Sequence, residues 1–76
     1  MRETIEMIVR ALVDDKDSVE VREVERNGTT RIEVRVAQSD MGKIIGRQGR
    51  TVRALRSIAH AVGLKQHRRV VLDIVE

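Results

Sequence analysis

The 76-residue chain contains no Phe, Tyr or Trp. That excludes the cold-shock, oligonucleotide-barrel and RNA-recognition-motif types, which hold nucleic acid on aromatic stacking platforms. The absence of cysteine removes disulfides and thiolate zinc sites and fits a reducing compartment. No apolar run approaches the roughly 20 residues needed to span a bilayer. The opening Met1-Arg2-Glu3-Thr4-Ile5-Glu6 is too acidic for a signal or transit peptide. The expectation is a soluble, cytoplasmic protein with no membrane attachment. Two histidines, no cysteine and scattered hydroxyls supply no nucleophile, base and orienter set. A chain this short has room for one core but not for an enclosed catalytic cleft, so no enzyme, cofactor or metal site is expected. Asp14, Asp15 and Asp17 lack the ligand spacing and glycine of a calcium loop and read as a solvated turn. Gly42, Gly46 and Gly49 fit neither a Walker nor a dinucleotide-binding pattern.

What is present is charge, unevenly placed. The formal net charge is +3. Residues 1–40 carry seven bases and ten acids, a net of −3, whereas residues 41–76 carry eight bases and two acids, a net of +6. No acid occurs between Asp40 and Asp73. A positive field of that kind suits a polyanion, although basic helix faces are also commonly just solvated. At its centre lies Ile44-Ile45-Gly46-Arg47-Gln48-Gly49-Arg50-Thr51-Val52-Arg53, in which two glycines three apart bound a turn carrying an arginine. Residues without a Cβ let the main chain turn tightly and approach another backbone. The helix expected to start near Gly49 would aim its free N–H groups at the same turn, where negative charge is favoured.

Along the chain, Ile5, Ile8, Val9 and Leu12 form the apolar stripe of a helix over Glu3 to Val13. Val19 to Glu25 has strand character, with an alternation that slips between Val21 and Val24, as a bulge or frayed end would produce. Asn27-Gly28 is a two-residue hairpin signal before the alternating Ile32-Glu33-Val34-Arg35-Val36. Ser39 or Asp40 is placed to cap a short helix from Met41 to Ile45. A longer helix should run from about Arg50 to Val62 and end at Gly63. Arg69 to Val75 reads as a third strand with Val70, Leu72 and Ile74 on one face. Such stripes are buried most simply in an α+β arrangement, a three-stranded mixed sheet with three helices on one face. The long crossover makes the second and third strands parallel.

Ile45-Gly46-Arg47-Gln48-Gly49 followed by Val52 resembles the signature of a K-homology (KH) domain, and the αββααβ order resembles its type II version. Ala11-Leu12-Val13-Asp14, Val19-Glu20-Val21-Arg22-Glu23-Val24, Asp40-Met41-Gly42-Lys43-Ile44-Ile45-Gly46 and Arg69-Val70-Val71-Leu72 are similar to the stand-alone bacterial KH proteins called KhpA or YlqC. The likeness runs end to end and makes residues 1–76 a single KH domain. Lys16-Asp17 departs from it where many members have proline, in a turn outside the glycine loop. The resemblance implies a non-catalytic RNA-binding protein, an RNA chaperone or adaptor in post-transcriptional regulation, whose groove takes about four single-stranded nucleotides. It places Gly46, Arg47, Gln48 and Gly49 in the backbone clamp, with Lys43, Arg50 and Arg53 around it. Ile44 and Ile45 are candidates for the groove floor or the core. By position alone, Lys65 and Arg68 fall in a variable loop that walls the far side of the groove. Arg56, His60 and His67 read equally well as exposed surface residues. Single-stranded DNA fits the same motif. The resemblance also implies a homodimer or a heterodimer with a KhpB/Jag-type RNA-binding protein. The alternative is a protein-interaction module, dimeric or ribosome-associated, with only weak nucleic-acid affinity.

Overall fold

The computed structural model describes residues 1–75. Its elements are α1 (Arg2–Leu12), β1 (Glu20–Arg26), β2 (Thr29–Arg35), α2 (Met41–Ile45), α3 (Arg50–Lys65) and β3 (Arg69–Val75), with one-turn 3-10 segments at Lys16–Ser18, Gln38–Asp40 and Arg47–Gly49. This is the αββααβ order of the type II KH fold, and the sheet runs β1-β2-β3.

In α1 the residues expected on the apolar stripe divide. Ile5 and Val9 are fully buried, while Leu12 is half exposed and Val13, just beyond the helix, is buried in its place. The opposite face holds Glu6 between Arg2 and Arg10, at 3.9 and 3.8 Å. Such exposed i,i+4 pairs contribute only about 0.3–0.5 kcal/mol each. Burial of the apolar face against the sheet therefore fixes the helix.

Asn27 and Gly28 both adopt positive φ, 52° and 78°, the backbone of a tight turn whose twist matches the strands it joins. β1 then pairs antiparallel with β2 from Glu20↔Arg35 to Arg26↔Thr29 without interruption. The bulge or frayed end suggested by the slip at Val24 is not there. Val21 faces the helices, and Val24 lies on the open face of a regular strand, 40% exposed. β2 pairs in parallel with β3, from Thr29↔Arg69 to Arg35↔Val75. Ile32, Val34, Val70 and Leu72 meet Ile44, Leu55 and Ala59 of the helices in one core. Burying side chains of this size contributes about 1.5–3 kcal/mol each.

The end of α3 differs from expectation. Gly63 does not terminate the helix; it is buried inside it, where an added Cβ would lie 2.7 Å from Val70 and 2.8 Å from the Arg68 carbonyl. Its role is to let α3 touch β3. Termination falls to His67 at φ 56°, with the His67 N–H donating to Leu64 and the Arg68 N–H to Gly63, the paired bonds of a Schellman cap.

Candidate nucleic-acid interface

The turn between α2 and α3 is built from backbone conformations that few residues tolerate. Gly46 sits at φ 75°, ψ 171°, a region essentially restricted to glycine. A Cβ there would lie 2.2 Å from Thr51 Oγ1 and 2.9 Å from the Thr51 nitrogen. Close contact with the start of α3, as well as φ, thus demands glycine. Gly49, at φ 74°, faces open space, with Val52 no nearer than 4.0 Å. Between them Gln48 is left-handed at φ 58°, ψ 25°. Arg53 reaches back from α3, donating through Nε to the Gly49 carbonyl at 3.3 Å and through Nη2 to the Gln48 carbonyl at 2.8 Å. Arg50 donates to the Gln48 side chain at 3.4 Å. With these oxygens held on cations, the N–H groups of Arg47 and Gln48 have no acceptor among the described residues. The loop therefore offers hydrogen-bond donors and positive charge outward.

Beside the loop lies a groove of about 480 Å³ whose apolar wall is Met41, Ile45, Val52 and Ile74. Its polar lining is Arg56 from α3 and, from the open face of the sheet across β3, Arg31, Glu33 and Asp73. A neighbouring hollow of about 450 Å³ shares Met41 and Ile45 and extends toward Gln38. Farther along α3 a third, of about 590 Å³, is lined by His60, Leu64, His67 and Arg68 beside Val70. Val52, Arg56, His60 and Leu64 are spaced by four, so one face of α3 follows β3 from the glycine turn to the α3–β3 loop.

The structure divides the residues singled out by sequence. Gly46, Arg47, Gln48, Gly49, Arg50 and Arg53 converge at the turn. Ile45 is 41% exposed on the groove, whereas Ile44 is fully buried in the core. Lys65 and Arg68 lie at the other end of α3, about 24 Å along a 16-residue helix. Arg68 lines the third hollow and forms an ion pair with Glu25. Lys43 turns away from the groove and forms ion pairs with Asp14 and Asp40.

Asp40 is the buried acid of that set, 1% exposed. Its side chain makes no cap to α2; it reaches across the fold and accepts the backbone N–H groups of Asp14 at 3.2 Å and Asp15 at 3.0 Å. These bonds, the Asp15 one first, hold its carboxyl below the ordinary aspartate value despite desolvation. Hydrogen bonds to Asp14 and Asp40 hold the Lys43 ammonium above its own. Val52 and Met41 were not among the binding candidates and Arg56 read equally well as a surface residue, though the four-residue spacing from Val52 through Arg56 to His60 was the available signal. Among the described residues, no set of three or more His, Cys, Asp or Glu could hold a metal ion. Among the described residues no helix is long and apolar enough to cross a membrane.

Residues 2–74 match the family described as KhpA/KhpB, KH domain. The RNA-binding protein KhpA of Aquifex aeolicus is 47% identical over 76 residues, covering all of this chain and 96% of its own. That of Halalkalibacterium halodurans is 49% identical with both chains fully covered. Among solved structures, an Aquifex aeolicus Era variant bound to GDP·AlF4− aligns with a TM-score of 0.65 at 18% identity, covering 96% of this chain and 28% of that one, a likeness of fold alone. The glycine turn, the sheet order and full-length identity to these relatives agree: the chain belongs to the KhpA/KhpB family of KH domains.

Proposed function

We propose that this chain is a non-catalytic RNA-binding protein, one KH domain that clamps short single-stranded RNA through the turn Gly46 to Gly49 and acts in the cytoplasm as an RNA chaperone or adaptor in post-transcriptional regulation. The observation that carries this reading is the turn itself, where Arg53 holds the loop carbonyls and the N–H groups of Arg47 and Gln48 have no acceptor among the described residues, beside an apolar groove. Phosphate would take the donors, and bases would lie over Met41, Ile45 and Val52. The same chemistry accepts single-stranded DNA. With no aromatic residue for stacking, one copy should bind at micromolar affinity or weaker at physiological salt, by analogy with non-specific electrostatic binding at about 10⁻⁴–10⁻⁶ M. A second KH chain, another copy or a KhpB/Jag-type protein, would add affinity through multivalency. The exposed apolar Ile58 and Leu64 on α3 suit such a contact.

The test is a salt-dependent titration of short unstructured RNA with the wild type and with Arg47→Asp/Gln48→Asp. Aspartate tolerates the left-handed backbone at position 48, so the variant should remain folded by circular dichroism. The wild type should show a log-log slope of about −2 to −3, from roughly three or four neutralised phosphates, and the variant a shallower slope with weaker binding. Equal affinity in a folded variant would falsify the clamp, leaving the protein-interaction reading.

A further inference from the structure

Strand alternation sorts the arginines of the sheet onto one side. Val21, Thr30, Ile32, Val34, Val70 and Leu72 are buried against the helices, so their neighbours in the chain stand on the open face. There Arg26, Thr29 and Arg69 form the cross-strand row next to the hairpin, and Val24, Arg31 and Val71 form the row behind it. These two rows carry three arginines and no acid. The acids of the face, Glu20, Glu33 and Asp73, lie in the two rows beyond, beside Arg22 and Arg35. Arg31 is engaged by Asp73 at 3.5 Å, whereas Arg26 and Arg69 are exposed and have no carboxylate partner among the described residues. Two strand spacings put them about 10 Å apart. This basic end of the sheet joins the groove. Because β3 is parallel to β2, the loop that follows α3 lies beside the Asn27-Gly28 turn. The hollow at the far end of α3, with His60, Leu64 and His67 on its helix side, is also lined by Arg69 and Val71 from the open face, so it rounds the edge of β3. Arg69 pairs with Thr29, which with Arg26 and Asn27 lines a further hollow of about 360 Å³ on the open face, bounded on its far side by Arg31 and Glu33. A path thus leads from the glycine turn along α3, round the start of β3 and across the hairpin end of the sheet.

Resting on the RNA-binding reading above, we propose that the RNA track does not end with the groove: a single strand clamped at the glycine turn continues round the start of β3 and lays its further phosphates on Arg69 and Arg26. Charge and continuity identify the occupant. A guanidinium fork matches phosphate, and the two cations free to supply one lie where the path leaves the α3 hollow. Glu33 and Asp73 repel phosphate from the rest of the open face, which confines the strand to the two rows at the hairpin. With no aromatic residue to stack a base, contact there is with the backbone and carries no sequence information. The groove takes about four nucleotides, and the 16-residue α3 carries the path about 24 Å from the turn. An RNA of that length ends on α3; one twice as long reaches the open face. The second contact is then intramolecular and adds affinity without a new partner.

The experiment is a salt titration of the full chain with a short and a long oligouridine RNA, about four and about eight nucleotides. The wild type should show a log-log slope steeper by about 1.4 on the long RNA than on the short one, the contribution of two phosphates on a single strand. Arg26→Gln/Arg69→Gln should lose that increment and bind the short RNA as the wild type does, which also shows that the variant is folded. Arg26→Lys/Arg69→Lys keeps both charges and should keep the increment. Arg22→Gln removes a charge from the same face, among its acids, and should leave both slopes in place. The extended track is overturned by equal wild-type slopes at the two lengths, by an increment that survives Arg26→Gln/Arg69→Gln, or by a slope that falls equally at both lengths or with Arg22→Gln. The clamp stands in those cases, because the short RNA still binds the wild type. Failure of both RNAs to bind the wild type overturns the clamp and the track together.

Discussion

Gly46 and Gly49 look equivalent in the chain, and the fold makes them unequal. Both have positive φ, which costs a residue with a Cβ about 1 kcal/mol or more. Only Gly46 also lies against Thr51, at distances a Cβ cannot occupy. Gly46→Ala should therefore destabilise the protein by about 2–3 kcal/mol, and Gly49→Ala by about 1 kcal/mol. Denaturant unfolding of the two variants measures the gap, and equal midpoints would contradict the close approach at Thr51. Arg53 shows the same dependence on context. By sequence it is one cation among several near the turn, yet in the fold its guanidinium braces the loop carbonyls.

At the scale of elements, two contacts carry predictions, one between segments far apart in the chain and one between neighbouring elements. The first is Asp40 holding the residues that follow α1. A carboxyl whose pKa is lowered by folding stabilises the native state above its unfolded value, and that contribution is lost as pH falls through the lower, folded value. Wild-type stability should accordingly decline below pH 3.8, the ordinary aspartate value. Asp40→Asn should be less stable at neutral pH and show a flatter acid limb, with the exposed Glu3, also lowered, supplying part of the remaining slope. Thermal melts across pH 2 to 7, a window set roughly by that linkage, read this directly. The second contact is α3 on β3 at Gly63. Alanine is intrinsically better in a helix by about 1 kcal/mol. The overlap with Val70 and the Arg68 carbonyl should reverse that sign, leaving Gly63→Ala less stable by about 1–2 kcal/mol. A stabilised variant would contradict the packing.

Over the whole molecule, the positive half of the sequence does not become a uniform positive surface. Lys43 is neutralised by Asp14 and Asp40, and Arg68 is paired with Glu25. Among the described residues, the cations of this half without a carboxylate partner are Arg47, Arg50, Arg53, Arg56, Lys65 and Arg69, and the first four of them lie in the turn and the first two turns of a 16-residue helix. Lys43→Gln should therefore lower stability and leave the salt slope of RNA binding in place. Arg47→Gln should reduce that slope by about 0.7, the contribution of one phosphate on a single strand. Thermal melts and salt titrations of both variants separate the two roles, and a slope that falls with Lys43→Gln would place that residue at the phosphates. The proposed affinity of a single copy is correspondingly modest, which is the physical motive for the proposed pairing with a second chain.

Element types, their order and the glycine turn were legible in the sequence because they depend on local physics: apolar periods of two and 3.6, a hairpin dipeptide that accepts positive φ, and glycines where side chains are forbidden. Such signals are carried by neighbours in the chain. Val24 had no bulge to report, Gly63 turned out to be a contact glycine, and Asp40 capped a segment 26 residues away. Each of those outcomes depends on what packs opposite, which no local pattern encodes. The same holds for the groove, where Arg56 reaches the Leu72 carbonyl, 16 residues on, only because β3 packs beside α3. Sequence by itself determined the family, the order of elements and the turn; tertiary structure decided which charges stay free and which side chains share a wall, because pairing and burial are properties of distance in space.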